Sequence, residues 1–190
     1  MTKDKFWEII DRVNSRVDVN NRTAIIIETK KELSKLSIEE IMAWEGIMRE
    51  YVNISNTNDL WCACAAMNTY SFDDEFEYFR DWLISQGKSV YMNAINNPDS
   101  LVNIDVGKDE TDFESYSFIT YEVLEEKNKR NNSKKVVTRK LSDEIMDEIY
   151  SDIPKISNKA KDIRPRTIIA TVPELCKKYD FEHEMMSISM

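Results

Sequence analysis

Apolar residues at Phe6, Ile10, Val13 and Val17 return every three or four positions, the stripe of an amphipathic helix. A polar break follows, and then Ile25, Ile26, Ile27, Leu33 and Leu36 mark a second helix. Ser37 and Glu40 have the spacing of a capping box. The helix they open runs to about Val52, with Ile41, Trp44, Ile47, Met48 and Tyr51 facing inward. After a polar loop, Asp59 is placed to cap a short helix carrying Leu60, Trp61 and the small residues at 62–66. Ser71 or Phe72 opens the next helix, which Gly87 is placed to end with a left-handed cap. Val90, Tyr91, Ala94 and Ile95 make a brief helix, stopped at Asn97-Pro98. Residues 110–126 read as one helix with Phe113, Tyr116, Ser117, Tyr121 and Leu124 on its inner side.

Beyond that point the pattern weakens. Residues 141–150 predict a short helix, 151–172 read as basic and irregular around Pro154 and Pro165, and 172–181 make a final turn before a frayed tail. The expected fold is mostly α: a compact multi-helix domain with a basic, partly irregular C-terminal segment. Its organisation is a helical core at 1–126, a basic flexible loop at 127–140, and a C-terminal helix and extended segment at 141–190 packing on the core.

The densest stretch is YSFDDEFEYFRDWLISQG, residues 70–87. With about 3.6 residues per turn, Phe72, Phe76, Phe79 and Leu83 share one face, the side predicted to be buried. Asp73, Glu77 and Arg80 fall together on another, and Asp74 and Asp81 lie on an adjoining strip. Paired carboxylates beside an arginine are able to hold a metal or share a proton. The same residues also suit a helix start. Anions in a first turn are favoured by roughly 0.3–1 kcal/mol each, and a Glu77–Arg80 pair adds about 0.2–0.5 kcal/mol. Helix capping therefore explains the acids without any chemistry. Arg80, if it turns inward, is the counter-ion for Asp59 or Asp73 and fixes how two helices meet.

Composition narrows the chemistry. Three glycines and four prolines in 190 residues are too few for the turns of an all-β fold and favour helices. The formal net charge of −9 argues against nucleic acid as the main partner and suits a basic protein partner. Residues 105–126 hold eight acids and one lysine, a net of −7, whereas 127–140 hold seven bases and no acid. No run approaches the roughly 18 apolar residues of a membrane span, and an odd count of three cysteines gives no disulfide framework. A reducing cytoplasm is the expected location.

Other catalytic patterns are missing. Cys62-x-Cys64 lacks the spacing of a zinc knuckle, and the single histidine, His183, sits in the tail. No glycine-rich phosphate loop is present. Neither a catalytic residue, a metal ligand nor a cofactor is assigned.

Asp59-Leu60-Trp61 and the string Phe72-Asp73-Asp74-x-Phe76-x-Tyr78-Phe79-Arg80-x-Trp82-Leu83-Ile84-x-x-Gly87 resemble the bacterial family known as domain of unknown function 4240. Phe6-Trp7-x-Ile9-Ile10, Leu36-x-x-Glu39-Glu40-Ile41, Asn97-Pro98-Asp99-Ser100-Leu101 and Pro173-x-Leu175 resemble it too. The resemblance implies a small, mostly helical, cytoplasmic bacterial domain and carries over no activity. The expected function is a protein-binding or regulatory module, such as an immunity-type neutraliser of a basic partner. The alternative is an enzyme, small-ligand or metal site built on Asp59, Trp61, Asp73, Asp74, Glu77 and Arg80, with Trp61 as one wall.

Overall fold

The structure, a computed structural model, describes residues 1–69, 71–131, 141–153, 163–181 and 183. In chain order the helices are α1 (Lys3–Asn14), α2 (Arg22–Ser34), α3 (Ile38–Ile54), α4 (Asn58–Met67), α5 (Asp73–Ser85) and α6 (Lys88–Asn96). A 3-10 helix follows at Pro98–Asn103, then α7 (Glu114–Ser117), α8 (Ile119–Asn131), α9 (Asp143–Ser151), α10 (Pro165–Thr171) and α11 (Pro173–Lys178). The described residues contain no strand, so the fold is mostly α, as the sequence predicts.

Local side-chain caps set the starts of α1 to α4 and of α9. The Thr2 hydroxyl accepts from the Lys5 amide, and Ser37 and Glu40 form both halves of a capping box. Asp59 does not cap α4; the Thr57 hydroxyl does, accepting from the Leu60 amide at 3.2 Å, which places Asp59 inside the first turn. Phe72 is the N-cap residue of α5 and makes no side-chain cap.

The core is aromatic where α1, α3 and α6 meet. Phe6 lies 5.1 Å from Trp44, and Trp7 lies 4.7 Å from Tyr51 and 5.2 Å from Tyr91, ring centre to ring centre. The Tyr91 hydroxyl donates to the Tyr51 carbonyl at 2.6 Å, which satisfies a polar tip inside the core. Each such ring contributes about 1.5–3 kcal/mol through burial. On the other side, the small buried residues 62–66 let α10 and α11 approach α4 closely.

Several expectations are corrected. Val17 lies past the end of α1, because the helix closes at Asn14. The predicted single helix at 110–126 starts later, at Glu114, and breaks at Phe118 into α7 and α8; Phe113 and Tyr116 are buried as expected, but the inward set changes beyond the break. Ile119, Thr120 and Val123 are buried, whereas Tyr121 is 66% exposed. Phe72 is 68% exposed, since the chain enters α5 there before the buried stripe begins. α8 runs on to Asn131, so the first residues of the expected basic loop are helical, and Pro165 starts α10 rather than breaking the chain. The remainder of that loop, the stretch at 154–162 and most of the tail lie outside the described residues.

Gly87 does adopt positive φ, but at ψ 169 it is no left-handed helix cap. It links α5 to α6 where the Asp11 carboxylate approaches, and a Cβ there would sit 2.6 Å from Asp11 Oδ1. Asp11 Oδ1 in turn accepts from the Lys88 amide at 3.3 Å, at the first turn of α6.

The C-terminal helices are tied to the body by hydrogen bonds. Asp99 accepts from the amides of Glu174 (3.1 Å) and Leu175 (2.9 Å), capping α11 from 75 residues away. Lys178 donates to the Val102 and Ile104 carbonyls, and the Tyr179 hydroxyl donates to the Val106 carbonyl. No helix among the described residues is long and apolar enough to cross a membrane.

Candidate functional site

Helical periodicity brings the nominated residues to the first half of α5 and its neighbour α4, but does not unite them. Asp73, Asp74 and Glu77 face solvent. Asp59 is half-buried in the first turn of α4, where a carboxylate complements the helix dipole. Trp61 stacks on Phe76 at 4.8 Å, and its indole Nε1–H donates to the Ser71 carbonyl at 2.7 Å. That bond sets the angle at which the chain enters α5. Trp61 is therefore a packing residue in this structure, with one face already covered by Phe76.

Arg80 turns inward, but not to a carboxylate. Nη1 donates to the Val52 carbonyl near the end of α3 (3.1 Å) and Nε to the Phe76 carbonyl (3.2 Å), while the guanidinium lies 4.8 Å from the centre of the Phe76 ring. Carbonyls in the last turn of a helix lack intrahelical donors, which is why α3 attracts the guanidinium. Among the described residues neither Asp59, Asp73 nor Glu77 forms an ion pair with it. Burial lowers the Arg80 pKa, opposed by the charges of Glu77 and Asp81.

On α5 the acid that the fold does bury was not nominated. Asp81 is 3% exposed. Burial first and the Glu77 charge second push its carboxyl up to about 7; Arg80 pulls it down, Glu45 of α3 raises it, and the Ser117 hydroxyl of α7 lowers it. Glu45 has Oε1 bound to Arg49 Nε at 2.7 Å, and its Oε2 is buried without a partner. The sequence signal was the odd acid on a half-apolar helix face, one residue from Trp82.

Asp112 and Glu114 project from the α7 side, and the Tyr78 hydroxyl of α5 donates to Glu114 at 3.3 Å. The Tyr78 pKa is raised by desolvation and then by Glu114, Asp74 and Asp112, which places these groups on one surface. Phe118, 52% exposed, follows at the end of α7, and Tyr121, 66% exposed, lies in the first turn of α8. Among the described residues no lysine or arginine pairs with Asp74, Glu77, Asp112 or Glu114. Glu122 and Glu125 further along α8 are paired with Lys30 and Lys129.

Elsewhere, a cleft of about 580 Å³ with Trp82 at its wall opens between residues 18–23 and 106–110. Its polar groups are engaged: Asp109 accepts twice from Thr69, the Gly107 amide donates to Glu110, and Arg22 donates to the Glu110 carbonyl. None of the nominated residues lines it. Among the described residues no three His, Cys, Asp or Glu side chains are grouped to hold a metal ion. The buried Cys64 thiol is pushed up to about 12, chiefly by burial, so it is no ready nucleophile.

The family model described as a protein of unknown function (DUF4240) matches residues 1–126. No curated protein and no solved structure matches the chain.

Proposed function

The chain belongs to the DUF4240 family, and from that premise and the surface just described we propose that it is a protein-binding module. Its docking face is the acidic surface of α5 and α7 that ends in Phe118 and Tyr121, and its partner is a protein with a Lys- and Arg-rich surface. The observation that carries this reading is the presence of two exposed aromatic rings along the chain from carboxylates that, among the described residues, pair with no lysine or arginine. Exposed aromatic residues are the side chains that interfaces use as anchors. Unpaired acids beside them speed encounter with a basic surface and reject acidic ones. The net charge of −9 acts in the same direction at longer range. An immunity-type neutraliser of a basic partner is one role that such a module would serve.

The test is affinity capture from native lysate with the wild-type chain, Phe118→Ala/Tyr121→Ala and Asp112→Asn/Glu114→Gln. These positions are exposed, so melting temperatures should stay within about 2 °C of wild type. The expected result is a stoichiometric basic protein on the wild-type chain, lost with either double variant and weakened about tenfold or more as salt is raised. No stoichiometric partner, or one captured equally by both variants, overturns the reading.

A further inference from the structure

Where α1 packs on α2, three cations converge on one buried carboxylate. Glu32 of α2 is almost wholly out of water. Arg12, in the last turn of α1, donates from Nη1 to Glu32 Oε2 at 3.0 Å, and Arg16, just past the end of that helix, donates from Nη1 to Oε1 at 2.6 Å. Lys35, the C-cap residue of α2, donates from Nζ to the same Oε1 at 2.6 Å. A single bidentate arginine is enough to satisfy a carboxylate. Three cations leave two positive charges uncompensated, and like charges held this close repel one another. Among the described residues no second acceptor is bonded to any of the three side chains. Each guanidinium commits only Nη1 of its five-donor fork, and both are about half exposed, so further N–H groups are free to meet a ligand.

The cluster borders a cleft of about 350 Å³, whose lining includes Arg12, Glu32 and Lys35 together with the apolar side chains of Ile9 and Leu36. That volume suits one small molecule. Two of the other charges in the lining are matched: Lys5 is bound to Glu40 at 2.7 Å and Asp4 to Lys88 at 3.3 Å. Glu8 has no cation among the described residues and works against an anion in the cleft. A phosphate monoester carries about −1.5 to −2 at pH 7, which matches the two uncompensated positive charges, and planar guanidinium groups meet its oxygens in pairs.

We propose that Arg12, Arg16 and Lys35 hold the phosphoryl group of a small phosphate monoester whose apolar part lies against Ile9 and Leu36. The site is built on α1 and α2 and shares no residue with the docking face, so it does not depend on that reading.

The experiment uses the full chain at about pH 7 in a phosphate-free, low-salt buffer. Phenyl phosphate is titrated in while the Nε–H signals of Arg12 and Arg16 are followed by NMR, with inorganic phosphate and phenol as separate titrants. The expected outcome is that both signals move together with a Kd of about 1 mM or below. Inorganic phosphate, which lacks the apolar part, should bind about tenfold more weakly, and phenol should leave both signals in place. Arg12→Gln and Lys35→Gln should each weaken phenyl phosphate about tenfold, whereas Glu8→Gln should tighten it about threefold. Arg49→Gln, which removes an arginine of α3, should change nothing. Arginine signals that stay still up to about 10 mM phenyl phosphate, or wild-type binding by the Arg12 and Lys35 variants, overturn the proposal. Inorganic phosphate that binds as tightly as the ester overturns it too, because the cleft would then contribute nothing. The Lys35 side chain is largely exposed, so Lys35→Gln decides the matter even where Arg12→Gln fails to fold.

Discussion

The Arg80 guanidinium uses its donors on two carbonyls, Val52 of α3 and Phe76 of its own helix, and covers the Phe76 ring. A charged hydrogen bond of this kind contributes about 1.5–3 kcal/mol, and a half-buried cation over a ring adds up to about 1 kcal/mol. Arg80→Ala should therefore lower the melting temperature by about 5–10 °C, and Arg49→Ala, on an exposed pair with Glu45, by about 2 °C or less. Equal shifts in a thermal melt would remove Arg80 from the α3–α5 joint. At this scale the sequence showed that Arg80 was out of place on a wet helix face, and helical spacing gave its neighbours. It did not show the acceptor, because a backbone carbonyl leaves no mark on residue identity. The same limit hid Asp81: a buried aspartate and a solvated one are spelled alike, and only the packing of α3 and α7 separates them.

Among the elements, periodicity located α1 to α6 well, and the capping box of α3 was legible too, since both rest on local rules that hold before any tertiary contact. The α4 cap was misplaced by two residues, on Asp59 rather than Thr57, and what the sequence left out for α11 was an anchor set from a distance. α11 has no side-chain cap of its own; Asp99 supplies one across the fold. Two stretches that looked like separate family signatures, Asn97-Pro98-Asp99 and Pro173-x-Leu175, are the two halves of this one joint. Asp99→Ala should cost about 0.5–2 kcal/mol, and limited proteolysis should then cut first within residues 163–181. Cleavage in that segment no faster than in wild type would show that the apolar contacts of Leu175 and Cys176 hold α11 alone. The break at Phe118 was equally illegible, because 110–126 has the polar–apolar spacing of one helix and it is the fit of α7 over α5 that divides it.

For the whole molecule, two buried acids pull stability in opposite directions with pH. Glu32 is 3% exposed and receives Arg12, Arg16 and Lys35. Lys35 above all, against the cost of burial and with Arg16 and Arg12, holds it down at about 2. Its contribution is present above the unfolded value near 4.5 and is lost as pH falls toward 2. Asp81 has the opposite sign. Its pKa is raised in the fold, so its contribution is full below the unfolded value of 3.8 and is lost as pH rises through about 7. Together they place the stability maximum near pH 4–5 and give a fall on the order of 3 kcal/mol toward neutrality. Urea midpoints taken between about pH 4 and 8 test this: wild type should weaken along that range, and Asp81→Asn should flatten the slope. A wild-type curve that rises toward pH 8 would contradict it.

The Asp99 joint also has a meaning in time. A ribosome finishes Asp99 some 75 residues before it makes the amides that Asp99 holds. At roughly 5–20 residues per second, that is a wait of about 4–15 s. Throughout it the side of α4 that α10 and α11 later cover stands open. Helices α10 and α11 are thus the shutter of a window left open on the nascent chain, and slow translation of residues 100–173 lengthens the time for which that apolar side is exposed to aggregation.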